Sequence, residues 1–116
     1  MYYVDRKVGA RAVAVCNGTM VKLSVLDADK DGARIQIKAD GAQERVIDSG
    51  MFNDYSIYRD GDRLTFMRLV SATESRIKIG LQSVGDVTVK VHFLRDGEDF
   101  PATIEELDKR GDDDDR

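Results

Sequence analysis

One cysteine, one proline, one histidine and no tryptophan occur in 116 residues. Cys16 alone closes no internal disulfide, and together with His92 it falls short of a zinc site of the usual Cys/His kind. The expectation is a structural, buried thiol and no metal. No apolar run approaches the roughly 18 residues of a membrane span, which argues against a membrane-embedded helical protein. The opening MYYVDRKVGA carries charges where a signal peptide has its apolar stretch, so a cytoplasmic location is expected. There is no HExxH, no GxSxG and no phosphate-cradling glycine loop ahead of a helix. His92 sits in an alternating run, opposite the face formed by Val89, Val91 and Phe93, and is expected to be solvated. The chain therefore reads as a non-enzyme without a cofactor.

What is present is an ordinary globular balance, 41% hydrophobic and 34% charged residues, in a length that favours one domain. The formal charge of −4 is unevenly placed. Residues 1–100 hold 15 basic and 15 acidic side chains, whereas residues 101–116 hold 3 and 7. The excess lies in the acidic end, where Gly111 precedes four aspartates, and residues 111–116 are expected to be a disordered tail.

Short turn signals punctuate the first hundred residues: Asn17-Gly18, Asp31-Gly32, Asp40-Gly41, Asp60-Gly61, Gly85-Asp86 and Asp96-Gly97. Asn-Gly and Asp-Gly supply the positive φ angles of tight hairpins. The intervening segments alternate or are rich in β-branched and aromatic residues, which predicts strands near 2–7, 11–15, 20–27, 33–39, 43–48, 55–58, 63–70, 75–82 and 86–94. One helix of two to three turns is expected in 101–110, with Pro101 in its first turn, Ile104 and Leu107 on one face, and Glu105 and Glu106 ahead of Lys109 and Arg110.

Arg34-Ile35-Gln36-Ile37-Lys38 recurs 42 residues later as Arg76-Ile77-Lys78-Ile79-Gly80, each copy following a longer strand. Two related β units are therefore expected. Val4-Asp5-Arg6-Lys7-Val8-Gly9, then Asn17-Gly18, the strand Met20 to Leu26 and Arg34 to Ala39, follow the order of the CsrA/RsmA carbon-storage regulators. In the second unit, Ile77 to Ser83 and Asp86 to Lys90 resemble that family's fourth strand, turn and fifth strand.

The resemblance implies an all-β fold: two CsrA-like antiparallel units, residues 1–50 and 51–100, packed as one compact sandwich or barrel-like domain, with a short C-terminal helix at 101–110. In the family the protein is a strand-exchanged dimer that binds GGA-containing RNA hairpins and controls translation. Here the implied state is a monomeric pseudo-dimer or a homodimer. The family's RNA surface joins its first strand, matched here by Val4, Arg6 and Lys7, to an arginine just after the partner's fifth strand. The matching positions fall near Ile47 in unit one and near Val91 in unit two, with Arg95 four residues further on; Tyr55 to Tyr58 stands as an abbreviated first strand of unit two.

Read from residue chemistry, the candidate RNA contacts are Arg6, Lys7, Arg11, Arg34, Lys38, Arg76, Lys78 and Lys90, to which the resemblance adds Val4 and Arg95. Cations neutralise phosphates, and strand edges present donors and acceptors to unpaired bases. Tyr2, Tyr3, Tyr55 and Tyr58 are placed as base-stacking candidates. Asp27-Ala28-Asp29-Lys30-Asp31-Gly32 matches the first half of a calcium loop, but its twelfth position is Lys38, which excludes an EF-hand; Asp-rich turn chemistry explains the same residues. The competing expectation is a CsrA-like scaffold repurposed, as in a host-directed viral factor, to hold a protein partner or sequester a small nucleotide. A structural β module that assembles through exposed strand edges is the third.

Overall fold

The computed structural model describes residues 2–110, so the acidic run at 111–116 lies outside the described residues. Nine strands form along them: β1 (Tyr2–Lys7), β2 (Arg11–Cys16), β3 (Thr19–Asp29), β4 (Gly32–Ala39), β5 (Arg45–Gly50), β6 (Asp54–Asp60), β7 (Arg63–Ala72), β8 (Arg76–Val84) and β9 (Val89–Phe93). The helix α1 (Ile104–Lys109) follows. Pairing is antiparallel throughout, in a four-stranded sheet ordered β1-β8-β7-β6 and a five-stranded sheet ordered β5-β4-β3-β2-β9.

The turn chemistry acts locally as its residue types require. Asn17 and Gly18 adopt φ of 47° and 81° and close the β2–β3 hairpin directly between paired Cys16 and Thr19. The Asp31-Gly32 signal works differently. Gly32 opens β4 beside the Ser49 carbonyl, which a side chain there would strike. Asp29 closes that turn by accepting the amides of Asp31 and Gly32 at 2.7 and 3.1 Å, so its carboxylate is a turn element.

The two halves are related by reciprocal pairing. Strands β1 to β4 begin at residues 2, 11, 19 and 32, and β5 to β8 at 45, 54, 63 and 76, a spacing of 43 or 44 at every step. β1 leaves its own half to pair with β8, and β5 pairs with β4 in the same way. Two of the three irregularities repeat, while the β6–β7 shift between Ser56 and Tyr58 has no counterpart between β2 and β3. The β3–β4 ladder shifts register between Val25 and Asp27, and the β7–β8 ladder between Leu69 and Ser71. Gly9 donates its amide to the Val25 carbonyl at 2.9 Å, and Phe52 donates to that of Leu69 at 2.8 Å. By its pairing β5 takes the place of a first strand, so the second repeat begins at Arg45 and not at 51. Tyr55 belongs to a second-type strand. β9 has no counterpart in the first half.

Alternating side chains from both sheets meet in one core, with Val21, Ile35 and Ile37 facing Ile57, Met67, Leu69 and Ile77. Full burial of each such side chain contributes roughly 1.5–3 kcal/mol. β2 is buried on both faces: Ala14 and Cys16 point into this core, while Val13 joins Met20 and Leu107 of α1 in a second cluster.

The helix is six residues long, shorter than expected, and Pro101 precedes it. Thr103 caps it by accepting the Glu106 amide at 3.1 Å. The segment behind it is strapped down by Arg110, which donates to Glu98 at 2.8 Å, to Glu106 at 2.9 Å and to the Asp99 carbonyl at 2.7 Å. This strap and α1 cover the face of β9 expected to be wet. His92, paired with Val13, is only 7% exposed, with Nε2 3.7 Å from Glu98.

Two outcomes follow from these contacts. The Arg95 amide and then the Arg110 guanidinium hold the Glu98 carboxyl below its usual range. A carboxyl depressed by folding stabilises above its unfolded value of about 4.3 and loses that contribution as pH falls through the lower folded value. The urea midpoint should therefore drop on acidification below about pH 4, and less steeply in Glu98→Gln than in wild type. Separately, Phe52 holds φ of 63° where its counterpart Gly9 holds 95°, and its side chain is 62% exposed. An L-residue in the left-handed region costs about 1–2 kcal/mol, partly offset by the entropy glycine loses on folding. Phe52→Gly should raise stability by about 0.5–1 kcal/mol in urea unfolding.

Candidate nucleic-acid interface

β1 and β9 are end strands of different sheets, and the reciprocal pairing brings them side by side. The Arg6 guanidinium lies over the Phe93 ring, 3.8 Å from its centroid, and its Nη1 donates to the Asp5 carbonyl at 2.8 Å. Lys7 Nζ stands 3.9 Å from Asp96 just past β9. Below this contact is an apolar slot of about 50 Å³ that includes Val4, Ile79, Leu81 and Val91 in its walls. A wider groove of about 610 Å³ continues along the seam from Tyr2 to Lys90.

The alternation of β1 decides which side chains enter the seam. Val4 and Arg6 share the face paired with Ile79 and Ile77 and turn inward. Tyr3, Asp5 and Lys7 occupy the outer face with Gly80, Lys78 and Arg76. Tyr2 and Tyr3 are 48% and 54% exposed, and Lys78 Nζ lies 5.2 Å from the Tyr3 ring. Tyr2 thus continues the inward face of Val4 and Arg6, and Tyr3 the outer face beside Lys78.

The other candidates divide. Lys90 and Arg95 are exposed, on β9 and just beyond it. Arg11 is half-buried and structural: its guanidinium donates to the carbonyls of Arg95 and Glu98 and sits 5.4 Å from the Phe100 ring. Arg34 is not at this seam. It lies on β4, three strands from β9 in the sheet, and pairs with Asp48 of β5 at 2.9 Å. Tyr58 is 9% exposed in the main core, which removes it as a stacking surface, and Tyr55 is half-buried.

Carboxylates already occupy several cations on the sheet faces. Arg68 holds Asp54 through two bonds of 2.7 and 2.9 Å, and Arg76 lies 3.1 Å from Asp5. The Asp54 carboxyl is lowered and the Arg68 guanidinium raised, in each case first by their mutual hydrogen bond. Exposed pairs of this kind add little stability, but they reduce the field a polyanion meets. Phe93 is the residue that reading the sequence overlooked. The available signal was its place at the end of the alternating β9 run, where the inward position is aromatic.

Cys16 and His92 point to opposite faces of β2 and its neighbour, one into the main core and the other beneath α1. Burial pushes the Cys16 thiol up, opposed by a hydrogen bond with Thr65. Among the described residues no group of three or more His, Cys, Asp or Glu side chains is disposed to hold a metal ion. No protein-family model, curated protein or solved structure matches the chain. A fully buried, protonation-favouring thiol should not react with an aromatic disulfide reagent in the native protein and should react once per chain in denaturant. Absorbance of the released thiolate reads both states.

Proposed function

We propose that the chain is an RNA-binding post-transcriptional regulator of the CsrA/RsmA kind, engaging RNA at the β1–β9 seam. The observation that carries this reading is the position of Arg6 on Phe93. It joins the first strand of one repeat to the last strand of the other, the same combination of elements that the family resemblance implies for its RNA surface. Val4, Arg6, Lys7, Lys90 and Arg95 border the seam, and Arg11 supports it from behind. Arg34 lies outside this interface.

The chemistry suits unpaired nucleotides. End strands expose backbone donors and acceptors to base edges, Tyr2 and Tyr3 offer faces for stacking, and the cations neutralise phosphates. GGA-type hairpins are the first ligands to test, and regulation of translation is the role the resemblance attaches to them. A second reading draws on the carboxylate partners of Arg34, Arg68 and Arg76. Surfaces neutralised in this way suit a protein or a small ligand better than a polyanion, and favour the repurposed scaffold.

Titration of a labelled GGA hairpin and a scrambled control over a salt series separates the two. The RNA reading expects preference for the hairpin and a slope of log K against log salt of about −2 to −3, as for three or four single-strand phosphates. Arg6→Ala should weaken binding by about ten-fold, as befits one charge-assisted contact, in a protein that still folds and loses only the roughly 0.5–1 kcal/mol of the contact with Phe93, and Arg34→Ala should leave affinity unaltered. Equal or absent binding to both RNAs rejects the regulator and favours the alternative.

A further inference from the structure

The internal pseudo-symmetry leaves one position empty. In the second half, the strand after β8 continues as β9 and pairs with β2 over Ala12 to Cys16. In the first half, the chain after β4 turns within five residues into β5, which pairs back onto β4. The counterpart of β2 is β6, 43 residues on, and β6 ends its sheet with no strand on its far side among the described residues. Beside it is a cleft of about 800 Å³, walled by Ser56 to Asp60 on one side and by the Asp40 to Arg45 turn on the other. One outward acceptor there is satisfied by a side chain: Arg45 Nη2 donates to the Ser56 carbonyl at 2.7 Å.

We propose that this edge is a docking site for an extended segment of a partner protein, added to β6 as a tenth strand. Backbone pairing supplies affinity in such strand addition, and alternate side chains supply selectivity. The symmetry specifies the chemistry. β9 packs Val89 and Val91 onto the main core while Lys90 faces outward, so the incoming segment carries branched apolar residues at alternate positions over about five residues, some 17 Å of strand. Its ends are basic, because Asp40, Glu44 and Asp60 line the cleft against Arg45 and Arg59. A second copy of β6 fits poorly: antiparallel self-pairing about Ile57 sets Asp54 opposite Asp60.

The chain itself contains a segment with the required alternation and a basic C-terminal end. A synthetic peptide of residues 86–95, Asp-Val-Thr-Val-Lys-Val-His-Phe-Leu-Arg, serves as the probe against the full-length protein. Saturable binding is expected, with backbone amide shifts and slowed hydrogen exchange confined to residues 54–60. Ser56→Pro should weaken it by about ten-fold or more, the loss expected for one or two backbone hydrogen bonds. Arg45→Ala, which leaves β6 intact and uncovers the Ser56 carbonyl, should tighten it by about three-fold, a fraction of one hydrogen bond. Absence of binding, shifts on β2 through displacement of β9, or indifference to both substitutions would overturn the proposal. So would concentration-dependent dimerisation abolished by Ser56→Pro, which would make a second copy the occupant.

Discussion

The antiparallel ladders joining β1 to β8 and β5 to β4 hold the molecule together across its two repeats. Each repeat lends its first strand to the other, so neither sheet is complete without residues from both halves. Three of the four buried isoleucines of the core lie on the receiving strands, Ile35 and Ile37 on β4 and Ile77 on β8, and the fourth, Ile57, on β6. The exchange thereby fixes the register of the strands that supply the core. A one-residue slip in either ladder would turn apolar faces outward, and the register shifts after Val25 and Leu69 stand at equivalent points of the adjoining β3–β4 and β7–β8 ladders.

The seam is a geometric consequence of this exchange. Because β1 crosses to the other sheet, its edge runs beside β9, and a guanidinium from one repeat comes to rest on an aromatic ring from the other. The electrostatics are shaped by the same constraint. Cations on the outer faces stand across from carboxylates of neighbouring strands, as Arg34 does from Asp48 and Arg68 from Asp54. Such pairing solubilises a sheet face while limiting long-range attraction.

Strand positions were legible in the sequence because hairpin chemistry is local. Asn17-Gly18 and Asp60-Gly61 name their own turns, and alternation locates the strands between them within a few residues. Partners were not legible, since nothing in Tyr2–Lys7 says which strand 70 residues away will receive it. That gap explains the errors. His92 was expected to be wet because its own strand alternates, but the cover comes from α1 and the strap held by Arg110. Arg34 has the right charge for an interface and the wrong strand. Arg11, in the right place, spends its donors on backbone carbonyls.

The departures from symmetry carry more functional information than the symmetry itself. A duplicated scaffold with both last strands would present two equivalent seams; among the described residues only β9 occupies such a place, and the segment that follows it packs over β2 and β9. The first half gives up its last strand by turning at once into β5. That leaves one end of the molecule with a completed seam and the other with an open strand edge capped by Arg45. Two unlike surfaces thus arise from one repeated plan, because each is defined by whether a last strand follows the repeat there. The asymmetry originates in the chain's route after β4, where five residues replace a strand.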